Sequence, residues 1–182
     1  MLSILICSLY SRSRQLGELM KVLGPQCAGR GDVEVIVDLD DGENSIGKKR
    51  NHLVSMATKK YCCFVDDDDM VSTDYASLIL DAICSGGPDC VGMCGHLMEG
   101  DKLGWQFRHS ITVGRWCKDK KNHVYFRTPN HLNPIKTEIV RRHPFPEINH
   151  GEDRSFSDSV RKNLRTEVFI EKPIYFYKQG NK

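Results

Sequence analysis

Four consecutive aspartates, Asp66, Asp67, Asp68 and Asp69, follow the apolar run at residues 61–65. Carboxylates this close repel one another and raise one another's pKa unless a positive charge neutralises them. Side chains alternate along an extended chain, so we expect Asp66 and Asp68 to converge while Asp67 and Asp69 face elsewhere. Two convergent carboxylates suit Mg²⁺ or Mn²⁺, which take oxygen ligands and bridge phosphates. The run predicts a cation site, although a solvated acidic turn has the same composition.

Two further segments carry groups that could act on a phosphate-bearing substrate. Residues 45–51, SIGKKRN, place basic side chains on the first turn of a predicted helix, where free N–H groups also attract a diphosphate. Residues 150–156, HGEDRSF, contain Glu152 and Asp153. A carboxylate there could take the proton of an acceptor hydroxyl, or it could cap the N-terminus of a helix.

The elements that must position these groups alternate along the first half of the chain. Strands are predicted at residues 2–8, 33–38, 61–66 and 90–97, and helices near residues 14–23, 47–58 and 72–84, the last capped by Ser72 or Thr73. This alternation implies a parallel sheet with helices on both faces. Ligands bind beyond the carboxyl ends of such strands, where the acidic residues 38–41 and 66–69 lie.

The pattern changes from about Gly100. Two strand-like stretches, residues 104–113 and 123–127, flank a polar turn at 118–122 and predict a β-hairpin. A short helix is expected near residues 135–142, another near 154–164, and a strand at 167–177. No repeat or linker divides the chain, so we expect one domain over residues 1–182.

Composition is that of a soluble globular protein, with 40% hydrophobic and 27% charged residues, which excludes a disordered chain. Residues 31–74 hold eleven acidic and five basic side chains, whereas residues 101–146 hold three acidic and ten basic ones. This asymmetry suggests a cation in one region and an anionic partner near the other. The apolar run at residues 2–9 is too short for a membrane span, and eight cysteines without zinc-pair spacing favour a reducing cytoplasm.

Taken together, the sequence resembles the GT-A glycosyltransferases of family 2. The resemblance is carried by LSILICSLYSR, VIVDLDDGENSIGKKRNHLVSMATKKYCCFVDDDDM and INHGEDRSFSD, in the order and spacing of that family. It implies an α/β fold of the GT-A type, Rossmann-like, with a mostly parallel sheet between helices and a small C-terminal acceptor subregion. Residues 1–99 would form the nucleotide-sugar and metal half, and residues 100–182 the acceptor half with the catalytic base.

The resemblance also implies roles for the aspartate run, which supplies a D-x-D motif. Asp68 would ligate Mn²⁺ or Mg²⁺, and Asp66 would contact the ribose or the metal shell. Asp67 is expected beside the nucleotide-sugar. His131 could complete the metal site or touch the acceptor.

Other implied site residues lie outside that run. Asp40, or alternatively Asp38, would read the nucleotide base. Lys48 and Arg50 fall where the family places residues that face the nucleotide. Asp153 corresponds to the general base, with Glu152 as its neighbour.

The implied reaction is transfer of a sugar, with inversion, from a nucleoside-diphosphate sugar, a UDP-sugar being favoured. Aromatic and basic residues in the acceptor half would suit a glycan or a hydroxylated DNA base: Trp105, Phe107, Arg108, Arg115, Trp116, Lys118, Lys120, Lys121, Tyr125 and Arg127. The Q-x-x-R-W signature of processive members and membrane spans are missing. Two alternatives are a phosphatase of the haloacid dehalogenase type, which uses the same D-x-D, and a non-catalytic nucleic-acid-binding module.

Overall fold

Three parallel strands form the N-terminal part of the sheet in this computed structural model, which describes residues 1–178. Strands β1 (Leu2–Leu9), β2 (Val33–Asp40) and β3 (Tyr61–Phe64) lie in the order β2-β1-β3. Helices α1 (Ser13–Cys27) and α2 (Ile46–Met56) connect them. Alternate side chains of β1 pack on opposite faces, Ile4 in a core with Leu19 of α1 and Leu5 in a core with Leu53 of α2. The predicted parallel sheet with helices on both faces is confirmed.

The sheet continues through strands from later in the chain. Helix α3 (Tyr75–Cys84) leads to β5 (Cys90–Glu99), which pairs in parallel with β10 (Glu167–Lys178), and β10 also pairs with the short β4 (Met70–Val71). Strand β9 (Ile135–Lys136) lies antiparallel between β3 and β5, and α4 (Thr137–Val140) follows it. Helix α5 (Glu152–Val160) precedes β10. The halves of the chain at residues 1–99 and 100–178 therefore share one sheet.

The predicted hairpin at residues 104–127 is wrong. Strands β6 (Lys102–His109) and β8 (Val124–Arg127) run parallel, with Phe107 opposite Tyr125. The antiparallel partner of β8 is β7 (Cys117–Asp119), a strand that overlaps the predicted turn at residues 118–122. The chain turns at residues 110–113, where Val113 N–H donates to Ser110, and reverses again around Asp119. Two reversals leave the outer strands parallel.

Three element boundaries also differ from those expected. Helix α3 begins at Tyr75 after Asp74, so neither Ser72 nor Thr73 is its N-cap. The segment predicted as a short helix near residues 135–142 begins as strand β9 before α4. The predicted helix at residues 154–164 begins earlier, at Glu152. Within residues 1–178, every helix is too short or too polar to cross a bilayer.

Candidate functional site

The four aspartates form a turn beyond the end of β3. The strand ends at Phe64, and Asp69 N–H donates to the carbonyl of Asp66 over 3.1 Å. The expected alternation of side chains along a strand therefore does not apply to these four aspartates. The turn nevertheless buries Asp67 and Asp69, each 1% exposed, and leaves the side chains of Asp66 and Asp68 28% and 31% exposed.

Arg12 holds two of the aspartates from the end of β1. Its Nη1 donates to Asp67 Oδ1 over 2.7 Å and its Nη2 to Asp68 Oδ2 over 2.9 Å. Ser8 Oγ donates to the other oxygen of Asp67 over 2.6 Å. Burial raises the pKa of the Asp67 carboxyl, and the bonds from Ser8 and Arg12 oppose that rise. Arg12 thus neutralises part of the charge that the run concentrates.

Asp69 has a structural partner instead. Tyr175 Oη donates to Asp69 Oδ2 over 2.7 Å, and Lys178 N–H donates to Oδ1 over 2.7 Å. Burial, followed by the charge of Asp66, raises the pKa of Asp69 to about 8. Asp69 therefore fastens β10 to the turn and faces away from the open side of the site.

Arg50 of α2 is a buried link between two carboxylates of the site. Its Nη2 donates to Asp66 Oδ1 over 3.2 Å, and its Nη1 lies 3.5 Å from Glu152 Oε1. The guanidinium also lies over the rings of Phe64 and Phe145, at 5.3 and 5.5 Å. These rings exclude water on one side, so the two carboxylates become the natural counter-charges of Arg50.

His131 approaches Asp66 from the opposite side, with Nε2 3.3 Å from Asp66 Oδ2. Burial by itself would raise the pKa of Asp66. The charges of His131, Arg50 and Arg12 outweigh burial and hold that pKa below its ordinary value. His131 Nδ1 is buried and has no hydrogen-bond partner among residues 1–178.

Glu152 and Asp153 open helix α5 but differ in their surroundings. Gly151, with φ of 85°, is the N-cap, and no side chain caps the helix. Asp153 is therefore not the helix cap that its sequence position allowed. Glu152 is buried against Arg50, whereas the Asp153 carboxylate accepts no hydrogen bond from any residue in the described part of the chain. The Asp153 carboxylate is therefore available to a ligand.

Asp153 faces a cavity of about 450 Å³, which we call the Asp153 cavity. Asp66, Arg50 and Glu152 form its polar wall. The opposite wall comes from β5, β6, β8 and β10, through Leu97, Phe107, His109, Tyr125, Arg127 and Tyr177. The structure therefore brings together Asp66, Arg50, His131, Glu152 and Asp153 of the predicted site residues.

A second cavity, of about 380 Å³, lies at the carboxyl ends of β1 and β2; we call it the Lys49 cavity. Its lining includes Ser8, Arg12, Gly42, Asn44, Lys49 and Asp67. The two cavities share Asn149 and His150. Two neighbouring residues of the aspartate turn therefore line different cavities: Asp66 lines the Asp153 cavity and Asp67 lines the Lys49 cavity.

The first-turn N–H groups of α2, which the sequence predicts as part of a diphosphate site, already have partners within the protein; nucleotide binding by Lys48 stays a prediction. The N–H groups of this first turn are taken by Asn149 Oδ1, the Ile148 carbonyl and Ser45 Oγ, over 3.0, 3.2 and 3.3 Å. Lys48 is exposed and lines neither cavity. The loop at residues 146–150 docks here, and Gly47 permits the docking because a Cβ would stand 1.9 Å from the Pro146 carbonyl oxygen.

Sequence reasoning missed Lys49, the buried neighbour of Lys48. Its Nζ donates to Asp40 Oδ1 over 2.7 Å and also to the Ser8 carbonyl. Helical spacing could have revealed it, because Lys49 lies four residues before Leu53 and so shares its buried face. Arg12 was also missed, although it follows β1 at the edge of the sheet where ligands bind.

Asp40 and Asp38 lie at the end of β2 but line neither cavity. Asp40 accepts from Lys49 and from the N–H groups of Gly42 and Asn44. Burial opposes ionisation of Asp40, but these bonds lower its pKa overall. Asp38 lies 3.0 Å from His52 Nδ1, away from both cavities. Gly42 and Asn44 therefore line the Lys49 cavity, and Asp40 holds them by accepting from their N–H groups. Recognition of the nucleotide base by Asp40 or Asp38 stays a prediction.

The carboxylates fit a cation that shares its ligands with a substrate. One oxygen of Asp68 accepts from Arg12, and the other has no donor within residues 1–178. His131 lies against Asp66. No three His, Cys, Asp or Glu side chains in that range are arranged to hold a metal by themselves. Mg²⁺ commonly takes one or two carboxylates and completes its shell with phosphate and water. Asp68, which lines neither of these cavities, is the carboxylate of the turn with an open oxygen, and cation binding stays a prediction.

The acceptor-half residues separate onto different surfaces. Phe107, Tyr125 and Arg127 line the Asp153 cavity, and Trp105 packs against Tyr125 with ring centroids 5.0 Å apart and ring planes tilted by 37°. Arg108 lies away from the cavity and pairs with Glu171 at 2.9 Å. The remaining basic residues are exposed around β7 and the turn after it: Arg115, Lys118, Lys120 and Lys121.

Comparisons with known proteins bear on the family and the fold of the chain. The sequence model of Glycosyl transferase family 2 matches residues 27–148, well over half of the chain. S. aureus TarS 1-349 in complex with UDP-GlcNAc superposes with a TM-score of 0.76 at 17% identity, over 100% of this chain and 60% of that chain. The complex of TarS 1-349 with UDP gives 0.74 at 17% identity, over 98% and 61%.

Identities this low show the fold alone, which is the expected GT-A fold. The chain spans about 60% of the length of these TarS structures. No curated sequence is significantly similar to it. The phosphatase interpretation of the aspartate run is wrong, because the matching family is one of transferases.

Proposed function

Since the chain belongs to glycosyl transferase family 2, we propose that it transfers a sugar from a nucleoside-diphosphate sugar to an acceptor hydroxyl. One observation carries this proposal. The carboxylate of Asp153, which accepts no hydrogen bond among the described residues, faces the same cavity as Asp66, and the next residue, Asp67, lines the Lys49 cavity. The pair of cavities can hold the two parts of one donor on either side of the aspartate turn.

The nucleotide would occupy the Lys49 cavity, beyond the carboxyl ends of β1 and β2. TarS, which shares the fold, has been solved with UDP and with UDP-GlcNAc, and this favours a UDP-sugar. The diphosphate would then pass the aspartate turn near Arg12 and His150. The donor sugar and the acceptor would meet in the Asp153 cavity.

A divalent cation would be held by Asp68, with Asp66 and His131 beside it. When bound, Mn²⁺ or Mg²⁺ offsets the charge that develops on the departing diphosphate. Arg12 contributes a second positive charge next to Asp68. Arg50 holds Asp66 ionised and in place from within the protein.

Asp153 would act as the general base. Its carboxylate takes the proton of the acceptor hydroxyl as that oxygen attacks the anomeric carbon, and the bond to the diphosphate breaks with its electron pair on the phosphate oxygen. Attack from the side opposite the leaving group inverts the anomeric configuration. Glu152, paired with Arg50, fixes the start of α5 and so orients Asp153.

The test is a panel of sugar nucleotides with Mn²⁺ or Mg²⁺, scored for release of nucleoside diphosphate. We expect Asp153→Asn to lower kcat by roughly 10²- to 10⁴-fold while leaving nucleotide affinity unchanged. Asp68→Asn should abolish the dependence of donor binding on the cation. Asp158→Asn, on the exposed face of the same helix, is the matched control and should behave like the wild type.

Two results would contradict the proposal. One is the absence of nucleotide binding in the presence of either cation. The other is unchanged turnover in Asp68→Asn. Equal losses in Asp158→Asn and Asp153→Asn would show that the effect arises from α5 as a whole and not from a base.

A further inference from the structure

Two guanidinium groups lie over the same tryptophan, and one of them, that of Arg127, belongs to a residue that lines the Asp153 cavity. The Cζ atoms of Arg127 and Arg154 are 4.7 and 5.8 Å from the ring centroid of Trp116. Neither arginine has a carboxylate within ion-pair distance in the part of the chain that the structure describes, residues 1–178. Both cations at this ring therefore lack a counter-charge, and an anion that contacts both would supply one.

The ring under these cations is fixed by buried bonds. Trp116 Nε1 donates to Thr128 Oγ1 over 2.9 Å. The Thr128 hydroxyl lies 2.6 Å from Ser157 Oγ, which donates to the Pro129 carbonyl over 2.7 Å. Ser157 is on α5, so the platform is tied to the helix that carries Asp153. The position of the cations relative to the proposed base is therefore set by the fold.

Arg127 differs from the other cation of the cavity. Two Arg or Lys residues line the Asp153 cavity, Arg50 and Arg127. Arg50 is paired with Asp66 and Glu152, whereas Arg127 has no carboxylate partner among the described residues. Arg127 does not line the Lys49 cavity, where the nucleotide would bind. Its charge is thus available to the acceptor and remote from the nucleotide.

We propose that the acceptor is a sugar that carries an anionic group, a carboxylate or a phosphate, which Arg127 and Arg154 bind over Trp116. The proposal rests on the function proposed above. Tyr125 lines the cavity, packs against Trp105 and would offer an aromatic face to the sugar ring. The anionic group would fix the direction in which the acceptor hydroxyl approaches Asp153.

The test measures binding separately from turnover. In a Trp105→Phe background Trp116 is the remaining tryptophan, and its fluorescence reports directly on the site. The full chain, saturated with UDP and Mn²⁺, is titrated with glucose, glucuronate, glucose 6-phosphate and a short single-stranded DNA. We expect both anionic sugars to bind at least about tenfold more tightly than glucose, because charge-assisted bonds are stronger than neutral ones. The glucuronate and glucose 6-phosphate arms decide between carboxylate and phosphate.

Arg127→Gln and Arg154→Gln should each weaken binding of the preferred anionic sugar by about tenfold and leave UDP affinity unchanged. Arg142→Gln removes one exposed positive charge outside both cavities and should change neither. The proposal is overturned if glucose binds as well as the anionic sugars, if only DNA binds, or if Arg127→Gln weakens UDP binding as strongly as sugar binding. Failure of UDP to bind would contradict the proposed function and not this inference. Binding of the anionic sugars would then be measured without UDP, so the two proposals can fail separately.

Discussion

Arg50 Nη1 lies 3.5 Å from Glu152 Oε1, so a single buried ion pair joins α2 to the start of α5. The same guanidinium holds Asp66. The residue proposed as the base, Asp153, is therefore positioned by contacts of its neighbour with the helix that borders the nucleotide cavity. This arrangement couples the stability of the fold to the geometry of the site.

Replacing Arg50 by methionine should lower the free energy of unfolding by about 3 kcal/mol, because it leaves the buried carboxylate of Glu152 without its counter-charge and removes one from Asp66. The measurement is urea unfolding at neutral pH. The double variant Arg50→Met with Glu152→Gln should recover part of the loss, since one of those carboxylates is then neutral. If the two substitutions are additive, Arg50 and Glu152 are not coupled.

Gly47→Ala should displace the loop at residues 146–150, since its Cβ would stand 1.9 Å from a backbone oxygen. We expect a loss of about 1–3 kcal/mol in unfolding free energy, as for overpacked sites, with a fall in kcat. Gly17→Ala in α1 is the matched control. A Cβ there meets nothing within 4 Å, so this change should stabilise the helix by up to about 1 kcal/mol. Equal effects of the two substitutions would argue against loop docking as the cause.

Arg12→Met should separate cation binding from donor binding. Without Arg12, both oxygens of Asp68 are open to Mn²⁺, so affinity for the cation alone should rise. Affinity for a UDP-sugar should fall by about tenfold, because the diphosphate loses a positive partner. Calorimetric titrations with Mn²⁺ and with UDP check both directions, and Lys21→Met, on the exposed side of α1, serves as the control. A parallel change in the two affinities would contradict competition at Asp68.

His109 should make the protein less stable in acid. Burial, with the charge of Arg127 adding, lowers the pKa of His109 from 6.5 to about 3. Between these values the unfolded chain binds a proton and the folded chain does not. The stability that buried, neutral His109 contributes to the folded state is therefore fully present above pH 6.5 and is lost as the pH falls toward 3. Urea unfolding at pH 7.5 and 4.5 should show a smaller difference in the free energy of unfolding for His109→Gln than for the wild type; an equal difference would contradict the prediction.

The order β1-α1-β2-α2-β3 could be predicted because its signals are local. Apolar runs and helical spacing within ten or fifteen residues fix each element, and the crossover rule then fixes parallel pairing. The pairing of β6 with β8 could not be predicted in this way. It depends on β7, a three-residue strand whose sequence, Cys-Lys-Asp, has no strand pattern of its own.

Local rules also failed at the N-terminus of α2. They predicted free N–H groups for an anion, and about a hundred residues later the chain supplies Ile148 and Asn149, which take those groups. Asp153 shows the opposite case. Its sequence allowed either a cap or a base, and the position of Gly151 at the N-cap left the carboxylate free.

The sequence by itself determined the family and indicated the candidate site residues, since the aspartate run, Arg50 and the Glu152–Asp153 pair are recognisable as residue types at fixed spacing; the roles of these residues stay predictions. The tertiary structure decided where each side chain points. Successive helical residues differ by about 100° in direction, so the packing of α2 selects Lys49 over Lys48 for the interior. Side-chain directions in a turn follow no regular repeat. Partners from elsewhere in the chain therefore decide them: Arg12 holds Asp67 toward one cavity, and His131 holds Asp66 toward the other.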